Sequence, residues 1–441
     1  MRLRELLERL TMEGTLAQVR KPVSPQFDAP ALISALNEKP VLFHNITGSQ
    51  FRAAAGLCST RELVARGLGV EKQDLLFTLA KAASKPKKPL VVENAPCQEV
   101  VEQGVDLDRL PIFTHFAKDG GPYIASAVGV LNDPDTGRNL SFHRMMKIGK
   151  NKFAVRLVEG RQTHLTYQKM MKKGKDMPMA FCIGNSTAVM LGAAISPAPN
   201  VDEMGIANAL GEAKTVKCRT NDLEVPAETE FVLEGRLVAE QSKEGPFVDL
   251  TETLDVQRQQ PVFEVDCITH RRDAIFQALL PGGLEHKMLM GMPREPTIYN
   301  EVSKACDCRN VIITPGGCSW LHAVVQIRKK DNSDAKKAID SAFKGHGSLK
   351  HCVVVDEDID PSDPMQVEWA IATRFRADKN LYVKENQPSS SLDPMADKPA
   401  GGKATCAKMG LDATIPLGDA KKPRAKFEKL RYRNVPVGEY L

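Results

Sequence analysis

The sequence predicts an α/β protein of several domains, and three observations carry that reading. Its 441 residues exceed what one hydrophobic core usually organises. Hydrophobic residues at 42% and charged residues at 26% are those of a soluble globular chain. The order of elements also changes twice: strands and helices alternate at both ends, and a strand-rich stretch lies between. The divisions fall near residues 1–110, 111–297 and 298–441.

Leu3, Leu6, Leu7 and Leu10 follow helical spacing, and Gly14 ends that helix. Short apolar strands (Val41 to Phe43, Leu90 to Val92) then alternate with helical segments, Arg61 to Arg66 and Leu75 to Ala83. From 111 onward, strand-like runs begin at Tyr123, Phe153, Met177, Ala213, Glu230 and Pro261, broken by turns such as Asp133 to Gly137. They predict an antiparallel sheet or barrel, with helices at His164 to Lys173 and Val201 to Gly211. In the last third, strands near Val311, Ala323 and His351 alternate with helices Ser333 to Phe343 and Pro364 to Thr373. That order predicts a mainly parallel sheet. Lys384 to Ala404, rich in Pro, Ser and Gly, reads as a long loop.

Composition excludes several classes. The net charge of +5 is spread among interspersed acids, apart from short runs such as Lys81 to Lys88. This favours a solvated surface or an anionic ligand over nucleic acid. No apolar run reaches membrane-span length, and the charged start Met1 to Leu10 is no signal peptide, so a cytoplasmic location is expected. Ten cysteines without paired CxxC spacing read as reduced, mostly buried residues. There is no GxGxxG after a strand and no Walker loop, which disfavours NAD and ATP.

The stretch that bears chemistry is Glu244-Gly-Pro-Phe-Val-Asp249. A Gly-Pro pair reverses the chain, so both acids can face one cavity and divide the ionised and protonated roles. Upstream lie Asn139-Leu-Ser-Phe-His-Arg144, His164 and Glu203. Taken in order, this series resembles the UbiD family of prenylated-FMN-dependent decarboxylases, and the likeness extends over nearly the whole chain.

The resemblance implies a split β-barrel flavin-binding domain at 111–297, then a linker helix near Thr297 to Ala305. A C-terminal α/β domain follows and builds the interface of a homo-oligomer, dimer or hexamer. It implies that Asn139, His164 and Glu203 hold a divalent ion, commonly Mn²⁺, on the cofactor phosphate. An amide oxygen, an imidazole and a carboxylate suit that ion. Ser141, Phe142, His143, Arg144, Thr163 and Lys403 would complete the cofactor contacts. A potassium ion is also usual; Gly192 to Ser196 offers a side-chain oxygen only at Ser196 and could otherwise use carbonyls. Arg144, Glu244 and Asp249 match the catalytic set: Arg144 pairs with Glu244 and orients the substrate carboxylate, while Asp249 supplies the proton replacing CO₂. A flavin prenyltransferase would supply the cofactor.

His286 and Arg294, eight residues apart, are expected to bind a second polar group of the substrate. Here the chain looks like the furan-2,5-dicarboxylate decarboxylase branch, which implies reversible conversion of that diacid to 2-furoate. Other unsaturated acids stay open: pyrrole-2-carboxylate, a hydroxybenzoate or an isoprenoid-pathway acid. So do a subunit of a multi-component carboxylase and a plain flavin reductase.

Overall fold

Strict alternation of apolar residues builds the sheet that organises the first half of the molecule. Met177, Met179, Phe181 and Ile183 join Phe231, Leu233, Phe263 and Val265 in one buried cluster. The intervening Ala180, Cys182 and Val232 join another. Both faces are therefore buried, with the period of two that a strand imposes. In the computed structural model the chain is described except for Pro199 and residues 400–402, 419–422, 431, 432, 434, 436, 437 and 439–441. It divides into two units: Met1–Pro296 with Pro315–Trp320 and Leu392–Pro394, and Thr297–Thr314 with Leu321–Ser391 and Met395–Leu441.

In the first unit the nine-stranded sheet is antiparallel throughout. Its long central pair is Phe231–Glu244 and Arg258–His270. Gly137–Phe142 and Tyr123–Ile124 form its two ends. Helices Thr187–Ala194 and Glu203–Leu210 cover one face through Val189, Ala193, Met204 and Ala207. A four-stranded sheet joins Ala17–Val19, Val41–Phe43, Arg52–Ala55 and Ile275–Gln277. Helix Leu3–Met12 packs Leu3, Leu6, Leu7 and Leu10 beside Leu42, Ala54 and Ile275.

The second unit corrects two expectations. Its five-stranded sheet is mixed, not mainly parallel: the inner pairings of His351–Asp356 are parallel, and both outer pairings are antiparallel. The outer strand Leu381–Pro388 lies where a loop was expected from Lys384. Being at the sheet edge, it tolerates polar residues and a terminal proline, which is why its composition reads as loop. Gly401 and Gly402 of that expected loop lie outside the described residues. The expected linker helix runs over Glu295–Ser303. Among the described residues no helix is long and apolar enough to cross a membrane.

Phe181 is fully buried, its ring 4.8 Å from Phe263 in an edge-on contact. Phe181→Ala should lower stability by about 3–5 kcal/mol, measured as a fall in the urea midpoint of the first unfolding step.

Candidate active site

Glu244 is the last residue of the longest strand, and Gly245 turns the chain with φ 93°, a conformation that favours glycine. Gly120 packs against this turn so closely that a Cβ there would lie 2.3 Å from the Gly245 carbonyl oxygen. Arg144, in the link between strands Gly137–Phe142 and Met145–Lys147, reaches the same place. Its Nε and Nη2 donate to Glu244 at 2.8 and 3.0 Å, and its Nη1 donates to Asp249 at 2.8 Å. Nη2 also donates to Asp255 at 2.8 Å. The guanidinium lies 4.6 Å above the Phe247 ring.

Tyr123 completes the support: its hydroxyl donates to Glu244 at 3.0 Å and accepts from the Gly245 N–H at 3.0 Å. Burial, and then the Glu244 charge, hold its phenol above the ordinary range. Burial alone would lower Arg144, but its bonds to Glu244 and the charges of Asp249 and Asp255 hold it above its ordinary value. Sequence reasoning found Arg144, Glu244 and Asp249 and missed Asp255. The short hairpin of Phe247–Val248 with Leu254–Asp255 delivers Asp255, and its only sequence signal was a further acid after Glu252.

Helix Leu284–Gly291 brings His286 to this cluster. Gly282 donates its N–H to His286 Nδ1 at 3.0 Å, which puts the ring proton on Nε2. Burial lowers His286, and the charges of Asp249 and Arg144 act on it in opposite directions. Next to it Lys287 pairs with Glu252, in the turn that follows Asp249. Two buried acids fix the helix start. Glu38 accepts the N–H groups of Leu284 and Glu285, and Glu285 accepts those of Gly56 and Cys58 at 2.8 and 2.9 Å.

A second constellation gathers around the strand Gly137–Phe142, which precedes Arg144. Asn139 donates to Glu203 at 2.9 Å and the Leu140 N–H donates to it at 3.1 Å. Arg138 forks onto Asp202, which caps the helix that carries Glu203. Burial pushes Glu203 up to about 7. A carboxylate oxygen and the amide oxygen of Asn139 are the donor type that a hard divalent cation takes. Ser141, His143 and Thr163 share hydrogen bonds of 2.9 to 3.3 Å beside Asn139. Phe142 packs against the apolar clusters behind them.

His164 corrects the expected triad. It stands on the helix turn whose Gln162 meets Asn139, but its ring nitrogens face the Gly160 N–H at 3.3 Å and Gln168 at 3.5 Å. It does not bond to Asn139 or Glu203, so the structure brings together two of the three expected residues. Ser196 accepts from Arg294 at 2.6 Å, so a guanidinium takes the oxygen expected for potassium. Burial, with the charge of Arg161, lowers Arg294 to about 10, and the Trp320 ring lies 5.6 Å from it. Lys403 is exposed in the second unit.

Residues 7–83, 90–284 and 287–413 match the N-terminal, Rift-related and C-terminal domains of 3-octaprenyl-4-hydroxybenzoate carboxy-lyase. The chain belongs to the UbiD family. It is a carboxy-lyase of that type, as are its named relatives. The anhydromevalonate phosphate decarboxylase of Methanosarcina mazei is 41% identical over 413 residues, spanning 93% of this chain and 95% of that protein. Its counterpart in Methanothermobacter thermautotrophicus is 40% identical over 95% of this chain and 98% of that protein. The UbiD-class enzyme HmfF from Pelotomaculum thermopropionicum, solved with FMN, aligns over 100% of both chains with TM-score 0.95 and 36% identity. An evolved dimeric form of it was solved with prFMN.

These relatives do not support the furan-dicarboxylate branch. Arg294 by itself would not distinguish a carboxylate from a phosphate, because a guanidinium forks equally onto either.

Burial raises Glu285 from 4.5 to about 7 against the two N–H bonds it accepts. The folded protein keeps a proton that the unfolded chain has released, so stability falls as pH rises from about 4.5 through about 7. The loss should be on the order of 3 kcal/mol. Thermal melting across that range should show it, and the wild-type-minus-Glu285→Gln difference should carry the slope.

Proposed function

We propose that this protein uses prenylated FMN to remove CO₂ from a phosphorylated, α,β-unsaturated carboxylic acid of the anhydromevalonate phosphate kind. The observation that carries the reaction class is the convergence of Glu244, Asp249 and Asp255 on the buried Arg144. The names of the relatives, 35 to 41% identical over most of the chain, support the substrate.

Asn139 and Glu203 would hold a divalent ion against the cofactor phosphate, with His164 turning in when the ion is present. When bound, the prenylated flavin supplies the electron sink that an sp² carbon needs on losing CO₂. Arg144 holds the substrate carboxylate, and Glu244 and Tyr123 keep that guanidinium in register. Asp249 delivers the proton to the carbon, with His286 beside it. Arg294 is the candidate for the phosphate of the substrate, and Lys403 a further contact to that of the cofactor. We propose a homo-oligomer that takes its cofactor from a flavin prenyltransferase.

Protein made without a prenyltransferase should fold and release no CO₂; release from such protein overturns the reading. Arg144→Ala should abolish turnover of cofactor-loaded protein while flavin absorbance is retained. Arg294→Ala removes a charge-assisted bond of about 1.5–3 kcal/mol, so kcat/KM should fall roughly ten- to a hundred-fold. That loss should be confined to the phosphorylated acid, with the dephosphorylated analogue, compared by CO₂ release, affected little.

A further inference from the structure

Asp255 converges on Arg144 without a step of its own, and Arg258 stands directly behind it. Arg258 forks onto Asp255, Nη1 to Oδ2 at 2.6 Å and Nη2 to Oδ1 at 2.8 Å. The same Oδ2 accepts from Arg144 at 2.8 Å, which makes a chain of guanidinium, carboxylate and guanidinium. Burial alone would raise Asp255, but Arg258 and Arg144 hold it far below the ordinary range. It is a fixed anion.

An arginine has five N–H groups, and four of those on Arg144 are committed to protein carboxylates. A substrate carboxylate therefore has to displace one of them to be forked. Glu244 is held by two arginine bonds and by Tyr123, and Asp255 by a second arginine. Asp249 has one bond to Arg144 and one to the Leu250 N–H, so it is the one released. The cluster already holds three carboxylates against two guanidiniums, and an incoming carboxylate deepens that excess. Charge balance then requires a proton.

Resting on the decarboxylase reading, we infer that Asp255 and Arg258 are a positioning pair. They keep Arg144 in place when the substrate carboxylate displaces Asp249, and their charges set how readily that exchange takes up a proton from solvent. The bond from carbon to carboxylate then breaks, leaving its electron pair on carbon. The proton passes from Asp249 to that carbon, and Asp249 returns as carboxylate to Arg144. The other charged or titratable groups around this exchange are His286, the Lys287–Glu252 pair, Tyr123 on Glu244, and Asp119, whose charge reaches Arg144. The variants leave all of them in place.

The test uses cofactor-loaded protein and two readouts. Calorimetry of a saturated, non-reacting phosphorylated acid, in buffers of different ionisation enthalpy, should show uptake of about one proton in wild type and less in Asp255→Asn. The alkaline limb of kcat/KM against pH should move down by about one unit in Asp255→Asn and up by about one unit in Arg258→Gln. Arg258→Lys keeps the charge without the fork, and should restore the limb while kcat stays about ten-fold low. Equal proton uptake in all variants, or limbs that stay fixed or move in one direction, overturns the inference. If Asp255→Asn does not fold, the two Arg258 variants decide. If wild type releases no CO₂ from any unsaturated acid, the proposed function fails, while calorimetry still decides whether the pair governs proton uptake.

Discussion

A guanidinium taken out of water has to be surrounded by carboxylates whose positions are fixed in advance, because an unpaired buried charge costs several kcal/mol. Arg144, only 9% exposed, imposes that constraint on the first unit. Its three acids come from a strand end, a turn and a short hairpin, which local structure alone does not bring together. The antiparallel sheet delivers Glu244, Gly245 turns the chain, and Gly120 leaves room for the turn. Tyr123 ties the sheet's end strand to the same carboxylate.

Much of this was legible in the sequence, for physical reasons. Strands buried on both faces show as apolar runs, and Leu3 to Leu10 show their helix by period. Glu244 and Asp249 stood out because a Gly-Pro turn lets both acids face one cavity and because the ordered series around them resembles a known family. Asp255 did not, because an acid two residues before a glutamine has no local signature; only the pairing of Phe247 with Asp255 gives it meaning. Glu38 and Glu285 were hidden for the same reason. Glu38 is in a turn and Glu285 in the first turn of a helix, and what distinguishes both is burial with peptide N–H groups. The edge strand Leu381–Pro388 was lost to composition, since an edge needs only half its residues to pack.

The expected metal triad was half legible in another sense. Asn139 and Glu203 meet because Arg138 and Asp202 lock a strand to a helix start, and Glu203 is then buried whether or not an ion is present. His164 has no such lock. It sits on a partly exposed helix face and satisfies its nitrogens locally with Gly160 and Gln168. Packing therefore fixes Asn139 and Glu203 in place and leaves His164 to its local partners.

The placement of the two constellations on one segment has a further consequence. Asn139 and Arg144 are five residues apart along nearly extended chain, which spans at most about 17 Å. The first end presents a buried carboxyl suited to a cation, and the second a guanidinium among acids. A long, flat ligand with an anionic tail would thus meet opposite chemistry at the two ends of this short segment. The segment is tied by the half-buried Arg138–Asp202 pair before Asn139 and by the buried Arg144–Glu244 pair at its other end. The spacing between the two constellations is therefore set by the strand Gly137–Phe142 and the two residues that follow it.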